Sequence, residues 1–208
     1  MIRRKITEDF TLRQFRKRFE ALSGQELPTH YLQSSNVYGF FMQGKLVAGF
    51  AVRTEPGLRH FELLEQAGVT TAALRSREEA FCELACLWIS PRVRSPVFRM
   101  NFYLTCVADA VQTGREFILG GSPVADIVPT QQICLPYTLY SGPVAGNGDG
   151  PWTIYYGTRW TCLKGVALQF PGRVRDILKA LPGDHHPRES GSRPVGRWHR
   201  VTRRFTGR

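Results

Sequence analysis

Apolar and polar residues alternate in two different rhythms along the first part of the chain. Apolar residues recur at helical spacing over residues 11–22, which predicts an amphipathic helix with a basic outer face. Two aromatic and β-branched runs, residues 37–42 and 45–53, then flank Gln43-Gly44. A two-residue turn of this kind between such runs predicts a β-hairpin.

The middle of the chain has the pattern of a parallel crossover. Residues 81–89 are too continuously apolar for a half-exposed strand and indicate a central strand that is buried on both faces. Residues 100–113 have apolar positions at helical spacing, Gly114 follows them, and residues 115–120 read as another strand. Strand, helix and strand in this order predict two parallel neighbours in one sheet. The fold class is therefore α/β, with mixed strand directions.

The later elements are predicted from weaker patterns. Residues 126–140 favour a helix that Pro136 breaks, and residues 152–156 and 158–168 read as late strands. Residues 173–181 could form a last short helix. We expect these segments to complete a single domain, because the number of apolar residues suffices for one core.

Composition divides the chain into a folded part and a tail. The 208 residues are 42% hydrophobic, which predicts one compact domain over residues 1–182. Residues 183–208 contain mainly Arg, His, Pro, Gly and Ser with few aliphatic side chains, so we expect a basic flexible tail. Arginines interleaved with Trp198 and Phe205 could bind nucleic acid through phosphate contacts and stacking; the alternative is a tail that only aids solubility.

The net charge indicates anionic partners without choosing among them. The formal charge is +11 and the pI is about 9.9, so phosphates, nucleic acids, acidic carrier proteins and anionic lipid are all attracted. No apolar run reaches the length of about 18 residues that a membrane helix needs, and the start of the chain lacks an apolar signal core. We expect a cytoplasmic protein with no membrane partner.

Cysteine and histidine positions give no indication of a metal site. The 5 cysteines lie mostly inside apolar runs, which favours buried free thiols over a disulfide framework. Cys82 and Cys86 have no second ligand pair, and apolar surroundings oppose a reactive thiolate there. His30 and His60 stand alone without a motif, so the sequence assigns them no role.

Four segments together resemble the GCN5-related N-acetyltransferase (GNAT) superfamily. They are the hairpin around residues 44–50, the strand and loop of residues 87–96, the strand of residues 114–119 and the tyrosine-bearing residues 139–142. The resemblance covers roughly residues 38–142. It implies a central mixed twisted sheet flanked by helices, with the family's phosphate-binding loop directly after the fourth strand.

The chain departs from that family in two places. Residues 53–79 form an unusual insertion. In the loop, side chains fill both glycine positions and Pro96 lacks a backbone donor, so the usual amide cradle for the pyrophosphate of coenzyme A is incomplete. Exposed amides at the start of the following helix still favour a phosphate there. Four neighbouring side chains could replace the lost contacts or could simply be solvated: Arg92, Arg94, Ser95 and Arg99.

The resemblance also implies catalytic positions. Glu83 matches a glutamate of the fourth strand and is the candidate general base, with a pKa raised by burial; the alternative is an ion pair with an arginine. Tyr140 matches the family's general acid, and Tyr137 is its nearest rival. The backbone near Trp88 and Ile89 is placed to polarise the carbonyl of a thioester.

The resemblance implies an N-acyltransferase. The acyl group would come from a pantetheine thioester, either acetyl-CoA or another acyl-CoA, or an acidic acyl-carrier protein. The acceptor would be an amine of a small molecule or protein. Two alternatives remain open: a noncatalytic module that binds RNA or an acidic partner through its basic surface, and an aminoacyl-tRNA-dependent transferase.

Overall fold

A computed structural model describes residues 1–69, 72–144 and 150–169, which form one seven-stranded sheet with helices on both faces. The strands are β1 (Ile2–Ile6), β2 (Asn36–Met42), β3 (Lys45–Arg53), β4 (Phe81–Ile89), β5 (Phe117–Ser122), β6 (Tyr137–Pro143) and β7 (Pro151–Thr158). Their order across the sheet is β1-β2-β3-β4-β5-β7-β6, and of these neighbouring pairs only β4 and β5 are parallel.

Seven α-helices belong to the described residues. They are α1 (Asp9–Ser23), α2 (Thr29–Gln33), α3 (Arg59–Gln66), α4 (Ala72–Arg75), α5 (Pro96–Gln112), α6 (Val128–Gln132) and α7 (Arg159–Gln169). None of the helices that the model describes has both the length and the apolar character needed to cross a membrane.

The first hairpin and the parallel crossover are confirmed. Gln43 and Gly44 both have positive φ angles, 50° and 74°, which match a two-residue turn between the antiparallel strands β2 and β3. β4, α5 and β5 form the predicted crossover, with β4 parallel to β5. β4 is also buried along nearly its whole length, as its apolar run predicts.

The start of α5 differs from the sequence prediction. The helix begins at Pro96 rather than at residue 100, and the Ser95 hydroxyl accepts a hydrogen bond from the backbone nitrogen of Phe98 at 3.2 Å. Proline is tolerated in the first turn because the amide it lacks has no partner within the helix there. Pro96 therefore starts the helix, and the arginine-bearing loop is shorter than expected.

Two predictions for the later chain are wrong. The helix predicted for residues 126–140 ends early, and β6 occupies its second half, because Pro136 cannot continue a helix and the following residues pair with β7. The strand predicted for residues 158–168 is the helix α7. The Thr158 hydroxyl accepts a hydrogen bond from the Thr161 backbone nitrogen at 3.1 Å, which caps the first turn. The helix predicted for residues 173–181 and the tail lie outside the described residues.

Two apolar layers enclose the sheet. On one face, Phe15 and Phe19 of α1 pack with Ala85 and Trp88 of β4. On the other face, α5 and α7 pack over β3, β4 and β5, and this larger cluster includes Phe50. α3 lies on the same face as α1 and packs against β5 and β7. The central strand β4 therefore has its two faces in different cores.

The sheet opens between its two parallel strands. The β4–β5 ladder has pairs at Phe81–Phe117, Cys82–Ile118 and Glu83–Leu119, and the strands form no pair beyond these. β4 continues against β3 on its other edge, with a register shift opposite Cys86, whose φ angle is +55°. A bulge of this kind bends a strand away from its neighbour. β4 and β5 therefore diverge after Glu83, and their free edges face an opening.

Candidate active site

A cleft of about 360 Å³ occupies this opening and is called the β4–β5 cleft here. Its walls come from the ends of α1 and β4, from β5 and the start of β7, and from the N-terminal parts of α3 and α5. The lining side chains that matter for chemistry are Arg59, His60, Trp88, Arg99, Tyr103 and Trp152.

Glu83 lies below the cleft, at the last position where β4 pairs with β5, and is fully buried. One carboxylate oxygen accepts hydrogen bonds from the backbone nitrogen of His60 at 2.6 Å and from its ring Nδ1 at 2.5 Å. The other accepts from the backbone nitrogen of Arg59 at 3.0 Å and from the hydroxyl of Tyr31. The carboxylate therefore closes the N-terminus of α3, where exposed amides favour a negative charge.

The pKa of Glu83 is lowered, which contradicts the expected increase. Burial by itself would raise this pKa, but the positive charge that His60 carries when it is protonated and the hydrogen bonds that His60 and Tyr31 donate outweigh it. The sequence showed the burial but not the donors, which come from α2 and from the insertion. Glu83 is consequently ionised at neutral pH, and it does not line the cleft.

His60 is the group that connects this carboxylate to the cleft. This residue is only 3% exposed, and its ring lines the cleft beside Trp152, with ring centroids 6.1 Å apart. A Cβ atom added to Gly121 would lie 2.8 Å from His60 Nε2, so this ring nitrogen faces the β5 wall. A carboxylate bonded to Nδ1–H favours the tautomer with the lone pair on Nε2. Such an imidazole can accept a proton from a group in the cleft.

Sequence reasoning missed His60. It carries no motif, and it lies in the 53–79 insertion, far from Glu83 along the chain. One signal was available in the sequence. The resemblance to the GNAT superfamily breaks off over residues 53–79, which contain His60.

Two buried tryptophans that line the cleft carry hydrogen-bond donors that the described residues leave unused. The indole nitrogens of Trp88 and Trp152 have no hydrogen-bond partner among the described residues, and both rings line the cleft. Buried donors in native proteins are nearly always satisfied, so donors of this kind indicate a missing acceptor such as a ligand carbonyl. Ile89, which sequence analysis grouped with Trp88, also lines the cleft.

The predicted phosphate-binding side chains divide into two groups. Arg99, in the first turn of α5, lines the cleft. Arg92, Arg94 and Ser95 are exposed in the preceding turn and do not line it; buried Val93 anchors this turn. Of the four side chains, only Arg99 therefore reaches the cleft, and the other three lie on the exposed turn before α5.

Tyr140 does not lie in the cleft. It belongs to β6, at the sheet edge beyond β7, and its hydroxyl donates a hydrogen bond to the carbonyl of Pro143 at 2.6 Å. Residues 137–143 form this strand and not the second half of the helix predicted for residues 126–140, so the phenol of Tyr140 lies away from the cleft. Tyr103 of α5 does line the cleft, and burial raises its pKa. Its phenol therefore stays protonated and can donate.

The cysteines near the cleft are not suited to nucleophilic chemistry. Burial raises the pKa of Cys82 to about 11 and that of Cys86 to about 12, so both remain thiols at neutral pH. Within residues 1–69, 72–144 and 150–169, no three His, Cys, Asp or Glu side chains come together in a way that could hold a metal ion.

Comparison with solved structures shows the fold. The chain is similar to FeeM, an N-acyl amino acid synthase from uncultured soil microbes, at a TM-score of 0.61 and 14% identity over 81% of this chain and 96% of that one. It is also similar to a ribosomal-protein-alanine N-acetyltransferase from Brucella melitensis, at a TM-score of 0.50 and 10% identity over 76% and 99% of the chains.

A third similar structure carries the family name. It is a protein from Desulfovibrio desulfuricans assigned to the GNAT family as an acetyltransferase, with a TM-score of 0.50 and 10% identity over 76% of this chain and 98% of that one. No protein-family model and no curated protein sequence matches the chain. The chain therefore has the GNAT fold, at no more than 14% identity to these solved structures.

The lowered pKa of Glu83 predicts a specific pH dependence of stability. Its folded pKa lies below the unfolded value of about 4.3, so its contribution is complete above that pH and is lost as the pH falls through the folded pKa. Glu83→Gln should reduce the free energy of unfolding by about 3 kcal/mol at neutral pH, because an amide cannot accept from all four donors. Chemical denaturation should show this difference shrinking as the pH falls below the unfolded pKa and through the lowered folded one. A difference that stays constant with pH would contradict the assignment.

Proposed function

We propose that the protein is an N-acyltransferase whose reaction takes place in the β4–β5 cleft. The observation that carries this proposal is the His60–Glu83 pair, which lies where the two parallel strands separate. A proton acceptor oriented by a buried carboxylate, beside two unpaired strand edges, suits the attack of an amine on a thioester held between the strands. The fold shared with N-acyl and N-acetyl transferases supports the same reaction class.

The donor would lie along the free edges of the strands. Pantetheine is a narrow chain with amide groups, and an extended chain of this kind can hydrogen-bond to an unpaired strand edge as another strand would. β4 has no partner in β5 after Glu83. The indole donors of Trp88 and Trp152 offer further contacts to carbonyl oxygens.

The chemistry then follows from the position of each group. His60 Nε2 takes a proton from the acceptor ammonium, and the amine nitrogen forms a bond to the thioester carbon. The oxyanion that develops accepts hydrogen bonds from the β4 backbone near Trp88 and Ile89. As the carbon–sulfur bond breaks, the nitrogen loses its second proton and the amide product forms. The departing sulfur receives a proton from Tyr103 or from the protonated His60, and one proton in all is released to solvent.

The carrier of the acyl group is assigned from the basic start of α5. Arg92, Arg94 and Arg99 surround a helix N-terminus that Ser95 caps. Guanidinium groups and helix amides bind phosphate well. Together they would replace the backbone contacts of the phosphate-binding loop whose two glycine positions are filled by side chains in this chain. Coenzyme A and the phosphopantetheine of an acidic carrier protein both present phosphate next to the pantetheine chain.

The acceptor is assigned from the charges of the cleft. Arg59 and Arg99 line it, and no Asp or Glu belongs to its described lining. Arg59 donates one hydrogen bond to the Gln25 side chain at 3.0 Å, which leaves further donors of its guanidinium for a ligand. An amine that also carries a carboxylate, such as an amino acid, fits this arrangement. The likeness to an N-acyl amino acid synthase favours the same class of acceptor.

Replacement of His60 tests the proposed base. His60→Gln retains a side-chain donor for Glu83 but removes the proton acceptor, so kcat/KM for amide formation should fall roughly a hundredfold to ten-thousandfold. Binding of a pantetheine thioether should change little, because the variant keeps the cleft. Product formation from an acyl thioester and an amino acid, followed by mass spectrometry, measures the first effect, and calorimetry measures the second.

The matched control is His30→Gln, which alters an exposed histidine of α2 and should leave both quantities unchanged. Full activity in folded His60→Gln would rule out the proposed base. Thioether binding by the wild-type protein without any acyl transfer to amines would favour a noncatalytic module.

Replacement of the loop arginines tests the phosphate contacts. The Arg92→Ala, Arg94→Ala double variant should bind acetyl-CoA on the order of tenfold or more weakly, because it loses charge-assisted hydrogen bonds. Its affinity for acetyl-pantetheine, which lacks the phosphates, should be unchanged. Calorimetry at moderate salt measures both.

The control for net charge is the Arg13→Ala, Arg18→Ala double variant, which removes two exposed arginines of α1. An equal loss in both double variants would indicate general charge attraction instead of a site. Failure of the wild-type protein to bind acetyl-CoA, together with binding of acetyl-pantetheine, would favour a carrier-protein donor.

A further inference from the structure

A second cavity lies beside the cleft, on the face of the sheet covered by α5, α6 and α7, and is called the α5 cavity here. Its volume is about 230 Å³. Its walls are mainly apolar, with aliphatic contributions from Leu84 and Ile118 of the parallel strands, Val107 of α5 and Val166 of α7. Native cores pack densely and seldom leave a space of this size empty, because the lining atoms would lose their contacts.

The α5 cavity adjoins the site of the proposed reaction. Leu87, Tyr103, Gly121 and Gln131 line both the cavity and the β4–β5 cleft. Gly121 is also the residue whose missing side chain leaves room for the His60 ring. A chain that starts at a carbonyl next to His60 can therefore continue past Gly121 into the cavity.

The ionisable groups that line the cavity stay neutral. Burial raises the pKa of Tyr103, Cys106, Cys134, Tyr155 and Cys162. No Asp, Glu, Lys, Arg or His is part of its described lining. The space therefore suits an uncharged apolar occupant and not a phosphate, a nucleotide or an amino acid.

We propose that the α5 cavity holds the hydrocarbon chain of the acyl donor, so that the donor is a medium-chain acyl thioester and not an acetyl thioester. This proposal rests on the proposed function, because the chain is placed by its attachment to a thioester in the cleft. An acetyl group would leave the cavity empty. A water molecule in the liquid, close to a methylene in size, takes up about 30 Å³, so a cavity of about 230 Å³ holds about eight chain carbons.

Binding of unreactive thioethers tests the chain cavity without any turnover. A series of S-alkyl pantetheines, from ethyl through butyl, hexyl and octyl to dodecyl, is titrated into the full chain by calorimetry. Affinity should rise about fourfold for each methylene that is buried and should level off at about eight carbons.

Two matched valine substitutions on the same helix locate the chain. Val107→Phe fills part of the cavity, so the octyl thioether should bind at least tenfold more weakly while the ethyl thioether keeps its affinity. Val97→Phe makes the same change at an α5 position that is 63% exposed and lines neither space, so the whole series should bind as it does to the wild type. Retained ethyl binding also verifies that Val107→Phe is folded.

The outcomes separate this proposal from the proposed function. Equal affinity of all chain lengths for the wild type would overturn the chain cavity and leave the transferase proposal in place. Unchanged octyl binding in Val107→Phe would also overturn it, because the chain would then lie elsewhere. Failure of the wild type to bind any thioether would contradict both proposals.

Discussion

The arrangement of the site depends on the buried carboxylate of Glu83. A charge inside a protein is costly unless hydrogen bonds satisfy it, and here α2 and the start of α3 provide the donors. The same residue forms the last β4–β5 pair before the strands diverge. One interaction therefore sets the orientation of His60, closes the N-terminus of α3 and marks the base of the cleft.

The sequence predicted the parts of the fold that depend on local periodicity. The β2–β3 hairpin, the buried strand β4 and the parallel crossover all agree with the structure, because each has a strong apolar pattern and a clear end signal. β6 and α7 were predicted wrongly, since in both the local pattern was weak and pairing or capping decided the outcome.

The site was harder to predict, because its key contacts join distant residues. Glu83 was found through its place on β4, but its lowered pKa depends on donors that no local pattern reveals. The role of His60 could not be predicted for the same reason, because its Nδ1 reaches Glu83 only when the insertion is folded. Tyr140 was chosen by resemblance alone, and the strand β6 places it away from the cleft.

The central claim is that a pantetheine chain lies between β4 and β5 next to His60, and the tryptophan indole protons test it directly. The chain has 4 tryptophans, and NMR resolves their indole N–H signals, which single Trp→Phe variants assign. On addition of S-octyl pantetheine, the signals of Trp88 and Trp152 should shift as their unpaired donors gain acceptors, while Trp160, exposed on α7, should not move. Unchanged Trp88 and Trp152 signals in the saturated protein would contradict the account.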